Sequence, residues 1–213
     1  MNQKDFKILL IILAFSFSLF QVLHRMGEEQ IKIWDESSAA RNAVEMMHSE
    51  IYLYANIEGE PDYHDVKPPL QLWLKVLSFK LLGVNEFAVR FPTLISYFLL
   101  LLLMYFFAIK YFQSIKLGVL LVLFPAVSLG FVNYHMAWHG DTDILLTLST
   151  TLYILIAFLF IQEFPQKKLK YAITLAILVF TSYFIKSIAG LAPAFGIVIY
   201  IIIKKSGLLY LII

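Results

Sequence analysis

The chain has 213 residues, 60% of them hydrophobic and 15% charged, with a mean hydropathy of +0.77. Soluble chains are nearer half apolar and a quarter charged, so a water-soluble globular domain is excluded and lipid is the solvent that the long apolar runs require. Cysteine is absent, which excludes disulfides, a thiolate nucleophile and a zinc–thiolate site; the net charge of +2, without any basic stripe interleaved with aromatics, excludes nucleic acid as a partner.

The N-terminus places Lys4 and Lys7 before the apolar run Phe6–Leu23. The run ends in Gln21-Val22-Leu23-His24-Arg25 with no small-x-small cleavage site, so it reads as an uncleaved first span. The stretch 24–69 then carries ten carboxylates against four Arg/Lys. After Trp34-Asp35-Glu36, the residues Ala40, Ala43/Val44, Met47 and Ile51 recur at helical spacing. This predicts an amphipathic surface helix with Asp35 or Ser37 as its N-cap, stopped by Gly59 and Pro61. Tyr63-His64-Asp65-Val66-Lys67-Pro68-Pro69 closes the stretch as a rigid extended turn.

Pro69–Gly83 is apolar but short, and it carries Lys75 and Lys80. The positive-inside rule arbitrates. If this segment lies along the interface without crossing, Lys4/Lys7, Lys110/Lys116, Lys167/Lys168/Lys170 and Lys204/Lys205 all fall on one side. The acidic stretch, the His135–Asp143 turn and the Lys186 turn then fall on the other. Trp34, Trp73 and Trp138 also land together at that outer interface, where amphipathic indoles prefer to sit.

The later runs Phe91–Ile109, Leu117–Val132, Ile144–Ile161, Leu169–Ile185 and Ile188–Ile203 are continuous, not alternating, and so favour helices over strands. Leu208–Ile213 reads as the start of a seventh span. The predicted fold is an all-α polytopic helix bundle. Residues 1–213 form one transmembrane domain of six spans and part of a seventh, and residues 24–83 form a first extracytoplasmic loop with interfacial helices.

Three polar clusters distant in sequence thus converge with the long loop on one membrane face: Asp35-Glu36, His64-Asp65 with Lys67, and His135 to Asp143, joined by the Lys186 turn. Each has a plain structural reading. Asp35 and Glu36 suit the start of a helix, Lys67 and Lys186 can snorkel, and Asp141-Thr142-Asp143 is placed to cap the fourth span. His135 and His139 stand four residues apart and would share a metal if helical; His64 with Asp65 is the other candidate ligand pair. A divalent metal is the one cofactor these residues leave open.

The pattern Asp35-Glu36 with Arg41, Lys67-Pro68-Pro69-Leu70 with Trp73, Phe87-Ala88-Val89-Arg90-Phe91-Pro92 and Gly140-Asp141-Thr142-Asp143-Ile144-Leu145-Leu146-Thr147 resembles the GT-C membrane glycosyltransferases. Within them it is similar to the lipid A aminoarabinose transferases of bacteria, which share a fold with protein O-mannosyltransferases. The resemblance implies transfer of a monosaccharide from a polyprenyl-phosphate donor, with inversion, at the outer face of a bacterial inner membrane. The acceptor would be a lipid, a glycan or a protein. It implies Asp35 as the catalytic acid of the first loop and Asp143, or Asp141, as a second functional carboxylate, with Lys67 on the donor phosphate. Glu36, Arg41, Asp141 and Lys186 join Lys67 as candidate substrate-binding residues, and His64, Asp65 and His139 as candidate metal ligands. The lipid A branch has a metal-binding acid before the Lys-Pro-Pro lysine; Val66 stands there in this chain.

The chemistry suits these residue types. A lipid phosphate leaves as a stable anion and needs cations near it, not a protonating acid. A hydroxyl acceptor needs a carboxylate base; a phosphate acceptor is already ionised, and the carboxylates would then orient substrate or hold a metal. Two rival readings are a small transporter and a non-catalytic fragment or scaffold. Transporters place ionisable groups near mid-bilayer, whereas these acids sit at span ends.

Overall fold

The computed structural model describes residues 2–24, 26–65, 67–133, 135–162 and 168–205; the expected seventh span at Leu208–Ile213 lies outside them. In chain order the elements are α1 (Gln3–Leu23), α2 (Asp35–Ser49), β1 (Asn56–Ile57), β2 (Glu60–Pro61), α3 (Leu70–Leu82), α4 (Glu86–Phe112), α5 (Ile115–Val127), α6 (Leu129–Val132), α7 (Asp143–Gln162) and α8 (Lys168–Lys205). Side-chain oxygens start several of them: Asn2 accepts the Asp5 N–H, Asn85 the Ala88 N–H and Ser114 the Leu117 N–H. The chain groups into two compact units, Met1–Leu148 and Ser149–Ile213.

In the first unit α1, α4 and α5 form the apolar core, built around Ala14, Val22, Leu94, Tyr97, Leu101, Val119 and Val122. Phe15 meets Phe98 and Tyr105 edge-on, and the buried Ser18 hydroxyl donates to the Val122 carbonyl at 2.8 Å. Arg90, near the start of α4, donates to the carbonyls of Met26 and Glu29, just beyond the end of α1. These two helices are therefore antiparallel. Lys4 and Lys7 on α1 and Lys110 on α4 fall at one end of the bundle, and the polar loops at the other.

α3 is 13 residues long, about 20 Å of helix against a hydrocarbon core of about 30 Å. It packs Leu72, Val76 and Phe79 against Ala39, Ala40, Ala43 and Met46 of α2 and against Ala88 and Val89 at the start of α4. Its Ser78 hydroxyl donates to the Ala88 carbonyl and its Lys75 ammonium to that of Val89. The segment stays at the polar-loop end and does not carry the chain to the opposite end of the bundle, as its lysines and length suggest.

Three local features differ from the sequence expectation. α2 begins at Asp35 itself: Trp34 takes the N-cap position at φ 81° with no side-chain cap, and Glu36 reaches back to accept the Lys32 N–H at 2.8 Å. Carboxylates in a first turn complement the positive end of the helix dipole, so both acids suit this place without being caps. Residues 56–61 form a two-stranded antiparallel ribbon, Asn56 opposite Pro61, turned by Glu58 and Gly59 at φ 52° and 84°. The run Leu117–Val132 is broken at Ser128, where ψ 113° ends α5 shortly after Pro125 and starts the single turn α6.

The second unit holds most of α7 and all of α8. α8 is not one straight helix, because Lys186 (φ −148°, ψ 43°) and Ser187 (φ 47°, ψ −129°) leave helical geometry. A Cβ built on Gly190 would lie 2.0 Å from the Ser182 carbonyl oxygen. Eight residues along a straight helix are about 12 Å apart, so the chain reverses here, and residues 168–185 and 188–205 are two limbs, as the separate runs predict. The Tyr153 hydroxyl donates to the Gly190 carbonyl at 3.0 Å, and the buried Ser149 and Ser182 hydroxyls are paired at 2.6 Å, which ties both limbs to α7.

Candidate functional site

At the polar end of the first unit, the first turn of α2, the turn 63–69 and the loop 133–142 meet. The Lys67 ammonium pairs with Asp35 Oδ1. The other oxygen, Asp35 Oδ2, lies 3.7 Å from His135 Nδ1, and that same nitrogen is 2.9 Å from Asp141 Oδ2. Asp35, Asp65, Lys67, Gln71, Asp141 and Thr142 line one narrow cleft between these segments. Asp35 and Lys67 are half-exposed, whereas the Asp141 side chain is only 8% exposed.

Burial works against the Lys67 ammonium, but the hydrogen bond and charge of Asp35, with Asp65 and Asp141 behind it, hold its pKa above the ordinary lysine value. It is a permanent cation at the mouth of the cleft. Asp141 is shifted the other way: burial raises its pKa, the Asp35 carboxylate adds to this, and His135 and Lys75 oppose it. The cleft thus sets two carboxylates, one of them buried, beside a positive charge and an imidazole.

A buried polar frame holds these groups in place. Glu36 is 1% exposed, and its carboxylate receives Arg90 Nε at 2.7 Å, the Gly140 N–H at 2.7 Å and the Lys32 N–H at 2.8 Å. Burial alone would raise its pKa, but these donors and the Arg90 charge more than offset that and keep it below the usual carboxylate range. The Gly140 carbonyl in turn accepts from Gln71 Nε2 at 2.7 Å and from Lys75 Nζ. Lys75 is fully buried, and desolvation lowers its pKa to about 8, against the raising effect of Glu36 and Asp141. Any side chain at 140 would meet Lys75 Nζ at 2.7 Å and the Val89 carbonyl at 2.9 Å, so glycine is required by close approach.

The sequence expectations divide accordingly. Asp35, Lys67, Asp65 and Asp141 are brought together; Asp143 opens α7 and is not among the residues lining the cleft. Glu36, expected at the substrate, is buried, and its carboxylate is taken up by the frame. Arg41 pairs with Asp62 at 3.1 Å and lines a separate hollow with Ala40, Val44 and Phe79. Lys186 belongs to the second unit, at the reversal of α8. Among the described residues the one cluster with metal-ligand geometry is Asp35, His135 and Asp141. It includes none of His64, Asp65 and His139. His64 is exposed. His139 is buried, which lowers its pKa. The chain at His135 is a turn at φ 64°, not a helix, so the spacing of four does not make a ligand pair with His139. Gln71 and Lys75 are the site residues that sequence reasoning left out, and His135 was weighed there only as a partner of His139; the lysine on an apolar face of α3 was the available signal.

Two solved structures share this fold. The crystal structure of ArnT from Cupriavidus metallidurans in the apo state superposes with a TM-score of 0.72 at 17% identity over 96% of this chain. That of the same protein bound to undecaprenyl phosphate gives 0.69 at 16% identity over 98%. The chain spans only 37–38% of the length of those proteins. No curated protein matches it in sequence. The sequence family described as dolichyl-phosphate-mannose-protein mannosyltransferase matches residues 66–212, more than half of the chain. With four helices among the described residues long and apolar enough to cross a bilayer, the chain is an integral membrane protein and belongs to the dolichyl-phosphate-mannose-protein mannosyltransferase family of glycosyltransferases.

Proposed function

We propose that this chain supplies the donor-phosphate and acceptor-activating part of a membrane glycosyltransferase that moves a monosaccharide from a polyprenyl-phosphate carrier to an extracytoplasmic acceptor, with inversion. The observation that carries this reading is the Lys67–Asp35 pair, with Asp141 and His135 against it, at the end of the bundle opposite Lys4, Lys7 and Lys110. By the positive-inside rule that end faces away from the cytoplasm, in a bacterial inner membrane. An apolar groove lined by Leu74, Leu77, Phe91, Ile95, Leu99 and Leu148 runs along α3 and α4. Beside it Thr93 donates to the Asp141 carbonyl. A prenyl chain in this groove would bring its phosphate to Lys67. The undecaprenyl phosphate bound by the ArnT of similar fold is a ligand of that class.

In the reaction an acceptor hydroxyl attacks the anomeric carbon from the face opposite the phosphate. Asp35 takes the hydroxyl proton, and the bond between the anomeric carbon and the phosphate oxygen breaks with its electron pair going to the lipid phosphate. Lys67 stabilises the charge that grows on that oxygen. Asp141, at 2.9 Å from His135, is the second functional carboxylate of this reading in place of Asp143. The acceptor class is a lipid, glycan or protein hydroxyl. Transfer from a radiolabelled lipid-phosphate sugar by full-length protein, wild type beside Asp35→Asn, tests it. Loss of labelled product by about 10²-fold or more is expected for removal of a general base; near-normal turnover by the variant refutes the reading.

A further inference from the structure

The turn that carries Lys67 is held to α2 at two points. One is the Lys67–Asp35 pair itself. The other is Asn42, which two helical turns bring back to the face of Asp35, about 10 Å further along the axis. Asn42 is fully buried, and its amide nitrogen donates to two carboxylates of the turn, Asp62 Oδ2 at 3.2 Å and Asp65 Oδ2 at 3.1 Å. The opposite oxygens of those carboxylates bind the turn's own backbone. Asp62 Oδ1 accepts the His64 N–H at 3.0 Å, and Asp65 Oδ1 accepts the Lys67 N–H at 3.4 Å. Two successive Asx turns are thereby fastened to the helix by one side chain. Arg41 Nη2 shares Asp62 Oδ2 at 3.1 Å from the exposed side.

Asparagine offers two N–H groups on one neutral atom. It can therefore bridge two anions without adding a cation that would compete with Lys67 for Asp35. The bridge carries a cost. Asparagine is a weaker helix former than alanine, and among the described residues the buried Asn42 Oδ1 has no hydrogen-bond partner. Turning the amide over would aim that oxygen at two carboxylates and strand the nitrogen, so the donors must face the turn. A buried amide left half unsatisfied weighs against stability, and its return is the geometry it imposes. We propose that Asn42 is a positioning residue: by gripping Asp62 and Asp65 it sets the distance and direction of Lys67 across from Asp35. Pro68 and Pro69 stiffen the turn on its other side, and the clamp secures the side that they leave free. The consequence for a lipid phosphate at Lys67 rests on the donor-binding reading above, but the clamp itself does not.

The test uses the full-length protein in detergent and two readouts. The first is the rate at which an amine-reactive acylating reagent modifies Lys67, with the exposed Lys110 at the far end of the bundle as internal standard. Asn42→Ala is expected to raise the Lys67 rate severalfold as the ammonium leaves Asp35. Asn56→Ala removes an equally buried amide of the same loop, bound to Ser49 and Ile51, and is expected to leave the rate unchanged. An unchanged Lys67 rate in Asn42→Ala overturns the proposal. The second readout is saturation binding of a labelled short-chain polyprenyl phosphate. Asn42→Ala is expected to weaken it by about tenfold, but by less than about twofold once Lys67 is alanine, because a residue that acts through another is not additive with it. Equal losses in both backgrounds overturn it as well. Asp65→Ala cuts the clamp from the turn and is read in both assays if the Asn42 variant fails to fold. It removes a negative charge, which by electrostatics alone would favour an anion; through the clamp it weakens binding, and a gain in affinity counts against the proposal. Release of Lys67 in Asn42→Ala, with no lipid binding by wild type, supports the clamp and counts against the donor reading. Lipid binding by wild type, with Lys67 unmoved in the variant, does the reverse.

Discussion

Arg90 holds Glu36 by both carboxylate oxygens, Nε to Oε1 at 2.7 Å and Nη2 to Oε2 at 3.1 Å, with each side chain only 1% exposed. The pair joins residues 54 positions apart. It fixes the first turn of α2 on the start of α4, which sets the direction in which the neighbouring Asp35 leaves the helix.

Removing one partner strands the other as a buried charge. Glu36→Gln or Arg90→Ala is therefore expected to cost about 3–5 kcal/mol of stability, read as a lowered denaturation midpoint in detergent. Arg90→Lys is expected to recover little of it, because an ammonium cannot reproduce the two parallel bonds or reach the Met26, Glu29 and Gln30 carbonyls that the guanidinium also serves. Stability equal to wild type in either first variant would contradict the frame.

Lys67 is half-exposed, so its loss acts on ligand more than on folding. Lys67→Ala should leave the unfolding midpoint nearly unchanged. It should weaken polyprenyl-phosphate binding by roughly 10- to 100-fold, the loss of a hydrogen bond to a charged group at about 1.5–3 kcal/mol. Lys67→Arg should retain part of the affinity. The measurement is saturation binding of the labelled lipid phosphate; equal affinity in the alanine variant rules out a phosphate contact.

Gly190 sits where the two limbs of α8 fold back on each other. A methyl group at 190 would lie 2.0 Å from the Ser182 carbonyl oxygen and 2.3 Å from its carbon, both rigid backbone atoms. Gly190→Ala is expected to destabilise the second unit by more than the ordinary overpacking cost of about 1–3 kcal/mol. Gly196→Ala, where nothing beyond its own turn of helix lies within 4 Å of the added carbon, is the control and should be tolerated. Protease accessibility of the α7–α8 region in the two variants compares them.

Lys75 makes stability depend on pH in the alkaline range. Burial lowers its folded pKa to about 8 from the ordinary lysine value of 10.5. Below about 8 it is protonated in both states, and the folded protein bears the full penalty of a buried cation. Between about 8 and 10.5 the unfolded chain binds the extra proton, so raising pH favours the folded state, by about 3 kcal/mol in all. Lys75→Met removes this rise, although it leaves the Gly140 and Val89 carbonyls short of a donor. Unfolding midpoints of the two proteins from pH 7.5 to about 10 check it; parallel curves would contradict the assignment.

Much of this was readable in the sequence, for physical reasons. Most helix positions follow from apolar run length, although the run Leu117–Val132 is broken at Ser128, and the confinement of α3 to the polar-loop end follows from its short run and two lysines. The meeting of Asp35, Lys67 and Asp141 follows from counting crossings. The pairing of Lys186-Ser187 with a chain reversal was visible as a polar break between two runs. Other features were not visible because they are tertiary. Glu36 looks identical to Asp35 in sequence, yet one carboxylate is buried on a guanidinium 54 residues away and the other faces a cleft. His135 reaches Asp141 from a left-handed turn that its neighbours do not announce. The choice between Asp141 and Asp143 depends on where α7 begins, a matter of two residues.

The peptide at Gly140 is gripped on both sides, its N–H by Glu36 and its carbonyl by Gln71 and Lys75. The aim of Asp141 is thereby set through main-chain atoms contributed by a residue without a side chain. Met136, Ala137 and Trp138 pack into the core of the first unit, and Trp138 Nε1 donates to the Gln21 carbonyl at 2.6 Å. The segment leading into Gly140 is thus moored on α1 as well, and the carboxylate inherits its bearing from both anchorages.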